Sequence, residues 1–358
     1  MYADLATLCI ERGRSILEAV ARMDRSRLGI VLVVDAEGRL AGTVTDGDVR
    51  RAVLAQTDLN GAVETLLARK AGSRYARPIT APAGAARASY LKLLQDNSIL
   101  HLPLLDPEGR VVGLVTLDEF VPKQTLALQA VIMAGGYGNR LRPFTDDVPK
   151  PMLPVGDRPL MEITLAQLRE AGIQRVNITT HHKPEKITEH FGDGRNFGLE
   201  IRYVTEDRPL GTAGGLGLIE APQETVLVIN GDILTEVDFG SMLAFHREHG
   251  ADLTVAVRQY ELQVPYGVVE CETVFVRSLT EKPQLRCLVN AGIYLLEPSV
   301  HRFIPSGEPF DMTELIQVLL EAGRPVASFP IREYWLDIGQ HADYERAQER
   351  AKTWKPRA

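Results

Sequence analysis

The chain has 358 residues, 45% of them hydrophobic and 24% charged, the balance of a soluble globular protein with room for about two domains. A net charge of −7 argues against general nucleic-acid binding, which shows as a basic surface, so an anionic ligand must be met by locally placed cations or metal ions. No apolar run nears the roughly 20 residues that span a bilayer, no secretory signal is expected from the first residues, and Cys9, Cys271 and Cys287 form no CxxC pair; the expectation is a cytoplasmic protein with reduced thiols.

In chain order, the first signal is an internal repeat. Val31-Leu32-Val33-Val34-Asp35-Ala36-Glu37-Gly38-Arg39 through Thr45 recurs as Leu102-Pro103-Leu104-Leu105-Asp106-Pro107-Glu108-Gly109-Arg110 through Thr116, at a constant offset of 71 (102 − 31). Each copy reads as strand, glycine turn and strand, with a helix starting near Asp46 or Leu117. A helical apolar pattern precedes each, at Ile16, Leu17, Ala19, Val20 and Met23, and at Ala88, Leu91, Leu93 and Leu94. Units this small bury a core only by packing as a pseudo-symmetric pair. Thr45 and Thr116 also suit plain helix N-caps.

The repeat ends near Val121-Pro122-Lys123, and strands and helices alternate from there. An apolar strand, Val131 to Ala134, enters the turn Gly135-Gly136-Tyr137-Gly138-Asn139-Arg140-Leu141, with Pro149-Lys150-Pro151 beyond. Glycines let backbone N–H groups close around phosphate oxygens, and the two cations suit charge on a phosphoryl group. No Gly-Lys-Ser/Thr follows, and the third glycine of a dinucleotide fingerprint is missing. Pro159 to Ala171 has a helical period closed by Gly172; 176–179 and 226–229 read as strands. Alternating βα units imply a mostly parallel sheet with ligands at the carboxyl ends of its strands. At the end of the second of these strands stands Asn230-Gly231-Asp232, whose carboxylate suits Mg²⁺, although an aspartate after a strand is most often a turn or cap residue; Asp337 is the candidate partner that favours the metal. The pair His181-His182 lacks metal-ligand spacing. A charged helix is expected around Tyr344 to Lys352.

Two resemblances follow from these motifs. Residues 5 to 122 resemble a tandem CBS pair, a βαβ-type repeat; this implies an adenine-nucleotide site with Thr45 and Asp48 in copy one and Thr116 and Glu119 in copy two, or else a module for assembly. Gly-Gly-x-Gly-x-Arg-Leu-x-Pro-x-Thr followed by Pro-Lys-Pro resembles the sugar-1-phosphate nucleotidyltransferases, with Asn139 where many members have threonine. The expected fold is therefore α/β: a Rossmann-like, mostly parallel nucleotidyltransferase domain (124–358) preceded by the CBS pair (1–123). The second resemblance implies Arg140 and Lys150 as catalytic cations. It implies nucleotide binding by Ala134, Gly135, Gly136, Gly138 and Asn139, and by Gly211, Thr212 and Gly214 of the loop Pro209 to Leu216. Gly267, Glu281, Lys282 and Asn290 would bind the sugar phosphate, and Asp232 and Asp337 would hold Mg²⁺. The implied partners are a nucleoside triphosphate and a sugar 1-phosphate in a homo-oligomer, with no nucleic acid and no membrane. The wording around Pro-Leu-Gly-Thr-Ala-Gly looks most like a mannose-1-phosphate guanylyltransferase, hence GTP, with UTP, dTTP or CTP as alternatives and a non-catalytic nucleotide-sugar sensor as the rival.

Overall fold

The computed structural model describes residues 4–26, 28–73, 76–120, 126 and 128–353. The chain divides into two compact units, 1–124 and 125–358. The boundary expected at 123/124 falls in segment 121–125, outside the described residues.

In the N-terminal unit, helix Ile16–Ser26 precedes the hairpin of Ile30–Val34 and Leu40–Thr45, and helix Arg87–Asp96 precedes that of His101–Leu105 and Val111–Thr116. The first strand of each hairpin takes a parallel neighbour, Cys9–Glu11 in one copy and Ala81–Pro82 in the other. Strand starts repeat at the offset read from the sequence (101 − 30 and 111 − 40), and so does a register shift, at Val33/Val34 and Leu104/Leu105. Gly38 and Gly109 take φ of +79° and +81° in the turns, where a Cβ is costly. The two turns meet, Leu40 N–H donating to Gly109 C=O and Val111 N–H to Gly38 C=O. Leu8, Ile30, Leu32 and Val34 share a buried cluster with Val111 and Leu114. Each copy also buries a cluster of its own, around Ile16, Val31 and Val44 in one and Tyr90, Leu94 and Leu102 in the other, so the sequence expectation that a core forms only between the copies is corrected: pairing closes the remaining apolar face of each.

The C-terminal unit is built on seven strands: β1 (Gln129–Ala134), β2 (Arg175–Thr180), β3 (Glu200–Thr205), β4 (Val226–Asn230), β5 (Leu253–Gln263), β6 (Gln284–Leu296) and β7 (Val326–Ile331). Their order is β3-β2-β1-β4-β6-β5-β7, and only β6 runs against the others. Alternate residues bury opposite faces. Ala130, Ile132, Leu227 and Ile229 face helices α1 (Leu160–Glu170), α2 (Pro184–Phe191) and α3 (Phe239–Glu248), whereas Val131, Val226 and Val228 face α4 (Met312–Glu321). Near-continuous apolar strands are what a sheet covered on both sides requires. The period expected over 159–171 is α1, ended by Gly172 at φ +82°, and the charged C-terminal pattern is α5 (His341–Thr353). Past the sheet, Gln259–Gln263 and Gln284–Leu288 continue as a two-stranded ribbon leading to a hairpin of Val268–Glu272 and Phe275–Thr280. Among the described residues no helix is long and apolar enough to cross a membrane.

Leu227 is fully buried on the central strand β4. Leu227→Ala is expected to cost about 2–5 kcal/mol, the usual range for a buried leucine truncated at a site that cannot collapse. Urea unfolding followed by tryptophan fluorescence checks this, since both tryptophans, Trp335 and Trp354, lie in the C-terminal unit.

Candidate active site

The carboxyl ends of β1 and β4 lie side by side, and each ends in glycine for a physical reason. After Ala134, the turn places Gly138 at φ +67°, where a Cβ would sit 2.9 Å from Thr145 Cγ2 and 3.2 Å from Lys150 Cβ. The buried Thr145 hydroxyl donates to Gly138 C=O at 2.9 Å, which ties the turn down onto the segment carrying Lys150. After β4, Gly231 N–H donates to Met133 C=O at 2.9 Å, and a Cβ there would lie 2.8 Å from that oxygen. Only a residue without a side chain lets β4 pass this close to β1, and the next residue is Asp232.

Lys150, 9% exposed, forms an ion pair with Asp232. Strand Ile233–Thr235 pairs antiparallel with Trp335–Asp337, setting Ile233 opposite Asp337, and Ile338 N–H donates to Asp232 C=O at 3.0 Å. Two carboxylates 105 positions apart (337 − 232) therefore stand on neighbouring strands. Asp337 is open to solvent on one side. Even so, the protein around its carboxyl raises the pKa above the usual carboxylate range, and Asp232 raises it further, against the pull of Lys150 and Arg140. A carboxylate held beside another carries unfavourable charge that a cation would relieve. Among the described residues no group of three or more His, Cys, Asp or Glu side chains is placed to hold a metal. Two carboxylates suit Mg²⁺ bound jointly by protein and phosphate, the common arrangement for that ion. Arg140 and Asn139 are exposed in the helical turn Asn139–Leu141.

Around β3 the structure adds a residue that the sequence reading passed over. Glu206 is 3% exposed, and its Oε2 accepts from Leu210 N–H at 3.0 Å. A Cβ on Gly135 would lie 3.0 Å from Oε2, and one on Gly215 would lie 2.8 Å from Oε1. Two glycines, one from each of the predicted loops, thus pack directly against a buried carboxylate. Its only trace in the sequence is an acidic residue directly after a strand and three before Pro209. The expected loop residues have other tasks. Thr212 donates from its N–H (2.8 Å) and hydroxyl (3.0 Å) to Asp311, and the hydroxyl accepts from Met312 N–H, capping α4. Gly211 and Gly214 allow close packing on 308–311, since Cβ atoms there would meet Asp311 Oδ1 at 2.6 Å and Glu308 C=O at 2.5 Å. His181 Nδ1 lies 2.8 Å from Glu206 C=O, so this nitrogen carries the proton and Nε2 accepts from Tyr137 hydroxyl at 3.0 Å. The histidine fastens the glycine turn to β2.

The sugar-side residues divide. Gly267, Glu281 and Lys282 share the junction of ribbon and hairpin: a Cβ on Gly267 would lie 3.0 Å from Glu281 Oε2, and Lys282 N–H donates to Tyr266 C=O at 3.2 Å. All three are exposed. Asn290 stands apart from them at the carboxyl end of β4, where its side-chain oxygen accepts from Gly292 N–H at 3.0 Å. In the N-terminal unit, Asp48 accepts from Thr45 N–H and hydroxyl, both at 2.8 Å, and pairs with Arg51 and Lys70. Thr116 N–H donates to Glu119 at 3.2 Å, the equivalent capping arrangement in copy two.

Against known proteins, the nucleotidyl transferase family profile matches residues 129–353, and the CBS domain profile matches residues 6–55. The chain belongs to the nucleotidyl transferase family and carries a CBS domain at its N-terminus. It is 35% identical over 241 residues to a UTP–glucose-1-phosphate uridylyltransferase of Synechocystis sp., covering 62% of each chain. It is 36% identical over 230 residues to a mannose-1-phosphate guanylyltransferase of Mycobacterium tuberculosis, covering 62% of this chain and 64% of that one. The match therefore spans less than two thirds of these relatives' own length. A sucrose-bound structure from Bacillus anthracis, assigned as a glucose-1-phosphate thymidylyltransferase, superposes with a TM-score of 0.54 at 25% identity, covering 65% of this chain and 98% of that one.

The Asp48 cluster generates a prediction about the N-terminal unit. Burial opposes the charge on Asp48, but Lys70 and the hydrogen bonds from Lys70 and Thr45 outweigh it and hold the carboxyl below its ordinary 3.8. A depressed carboxylate contributes stability above its unfolded pKa and loses it as pH falls through the lower folded value. Lys70→Met is expected to destabilise this unit by up to about 3 kcal/mol at pH 7, and the deficit should shrink below about pH 4 as Asp48 protonates. Hydrogen exchange of the amides in Ile30–Val34 and Leu40–Thr45 reads this directly.

Proposed function

We propose that the C-terminal unit transfers a nucleoside monophosphate from a nucleoside triphosphate to a sugar 1-phosphate. The observation that carries this reading is the gathering of the glycine turn, Lys150, Asp232 and Asp337 at the carboxyl ends of β1 and β4. An oxygen of the sugar phosphate attacks the α-phosphorus in line, the bond from that phosphorus to the bridging oxygen breaks, and pyrophosphate leaves with the electron pair. The nucleophile is already anionic, so no general base is needed and catalysis is positioning plus charge neutralisation. Lys150 steadies the transferring phosphoryl group and Arg140 the leaving pyrophosphate, while backbone N–H groups of 135–138 hold phosphate oxygens. Lys282 takes the phosphate of the sugar, and Asn290 and Gly267 take its hydroxyls. Asp232 and Asp337 would hold Mg²⁺, which supplies further neutralisation of phosphate charge.

For the base we propose guanine, on the strength of Glu206. An ionised carboxylate only accepts hydrogen bonds. Guanine presents two adjacent N–H donors on its pairing edge, whereas uracil and thymine present one N–H between two carbonyls that the carboxylate would repel. A site built to pair buried polar groups discriminates strongly against a ligand that leaves them unpaired. For the N-terminal unit, 1–123, we propose a tandem CBS pair serving assembly or adenine-nucleotide control. A ribose reaching Asp48 would have to break its pairing with Lys70.

One assay tests these assignments. In a pyrophosphate-release assay with Mg²⁺ across four nucleoside triphosphates and several sugar 1-phosphates, release is expected with GTP; silence with every pair would refute the transfer reading. Lys150→Ala and Asp232→Asn should each lower turnover by about 10²–10³-fold, the typical loss of one preorganised charge-stabilising group. In the same assay Glu206→Gln should shift preference from GTP toward UTP and dTTP, because an amide also donates. Unchanged preference would remove Glu206 from base recognition.

A further inference from the structure

We propose that Lys150 is a built-in occupant of the cation site, so that a divalent cation binds firmly only when a nucleoside triphosphate draws the ammonium away. The inference rests on reading Asp232 and Asp337 as the cation-binding carboxylates. The ion pair itself carries it: Lys150 Nζ sits on Asp232 Oδ2 with the lysine 9% exposed. An ammonium is a compact point charge that takes the same carboxylate lone pairs a small hard cation would use.

Asp232 and Asp337 stand with Lys150 and Arg140, while Asp343 pairs with Arg346. Two carboxylates against two cations leave no net charge to attract a divalent ion. Without Lys150 the same group carries one negative charge. A bound triphosphate would offer the lysine a second anionic partner. The Lys150 Cβ is packed 3.2 Å from where a Gly138 side chain would begin, and Pro149 and Pro151 flank it, so the stem emerges beneath the turn whose N–H groups suit phosphate oxygens. Only the flexible stem has to move. Triphosphate arrival then frees Asp232 as it supplies the phosphate oxygens that complete the coordination, so nucleotide and cation enter together.

The test is Mn²⁺ binding to the full chain without nucleotide, followed by electron paramagnetic resonance. Lys150→Met should bind Mn²⁺ at least tenfold more tightly than the unmodified protein. Lys150→Arg, which keeps the charge, should not, and adding Asp232→Asn to Lys150→Met should abolish the gain. Should Lys150→Met fail to fold by circular dichroism, Lys150→Gln takes its place. Equal or weaker binding by the uncharged variant overturns the proposal, as does an equal gain in Lys150→Arg or a gain that survives loss of Asp232. No substrate enters this measurement. An enzyme active in the transfer assay whose Mn²⁺ affinity ignores Lys150 refutes the exchange alone, and a protein inactive there whose affinity rises refutes the transfer reading alone.

Discussion

An ammonium and a carboxylate set largely out of water are tolerated when they pair, and in this chain the buried Lys150 pairs with the half-buried Asp232 across 82 positions. Isolated, either group would be costly at this depth; together they are tolerated, and they dictate what surrounds them. The meeting requires β1 and β4 to be neighbours with their carboxyl ends on one side. It also requires Gly231 to let β4 graze the last carbonyls of β1, and Gly138 to let the turn lie on Lys150. Each glycine replaced by a larger residue would push apart the groups that the ion pair draws together.

The same economy governs the neighbouring carboxylate. Gly135 and Gly215 come from loops 80 positions apart (215 − 135), and both leave room for the oxygens of Glu206. By contrast Gly211, Thr212 and Gly214, from the same small-residue loop, hold that loop against residues 308–311 and cap α4. One face of the loop packs on residues 308–311 and the other on the Glu206 carboxylate. A division of this kind is invisible in a run of small residues, because it depends on which face meets which wall.

In the N-terminal unit the governing constraint is size. Each copy packs a small cluster of its own, too little buried surface to be stable alone, so the two turns join through paired backbone hydrogen bonds and Leu32 of one copy shares a cluster with Leu114 of the other. Asp48, which the repeat pattern offers as a ligand group, is enclosed by its own copy's Thr45, Arg51 and Lys70. Lys70 lies past the helix Glu64–Arg69, in a segment the repeat comparison did not reach.

Local physics made a large part of this protein legible in one dimension. Lys150, Asp232 and Asp337 are singled out together by the family resemblance, whereas the offset of 71, the alternation of strand and helix and the glycine turn after β1 depend on periodicity and backbone freedom, which are properties of short segments. Proximity is not. That Asp232 and Asp337 become neighbours follows from an added pair of strands at the edge of the site, and that Glu206 meets two glycines follows from how the turn after β1 and the loop after β3 pack together. Burial, pairing and the direction in which a carboxylate points are set by residues far away in the chain, so only the tertiary structure decided them.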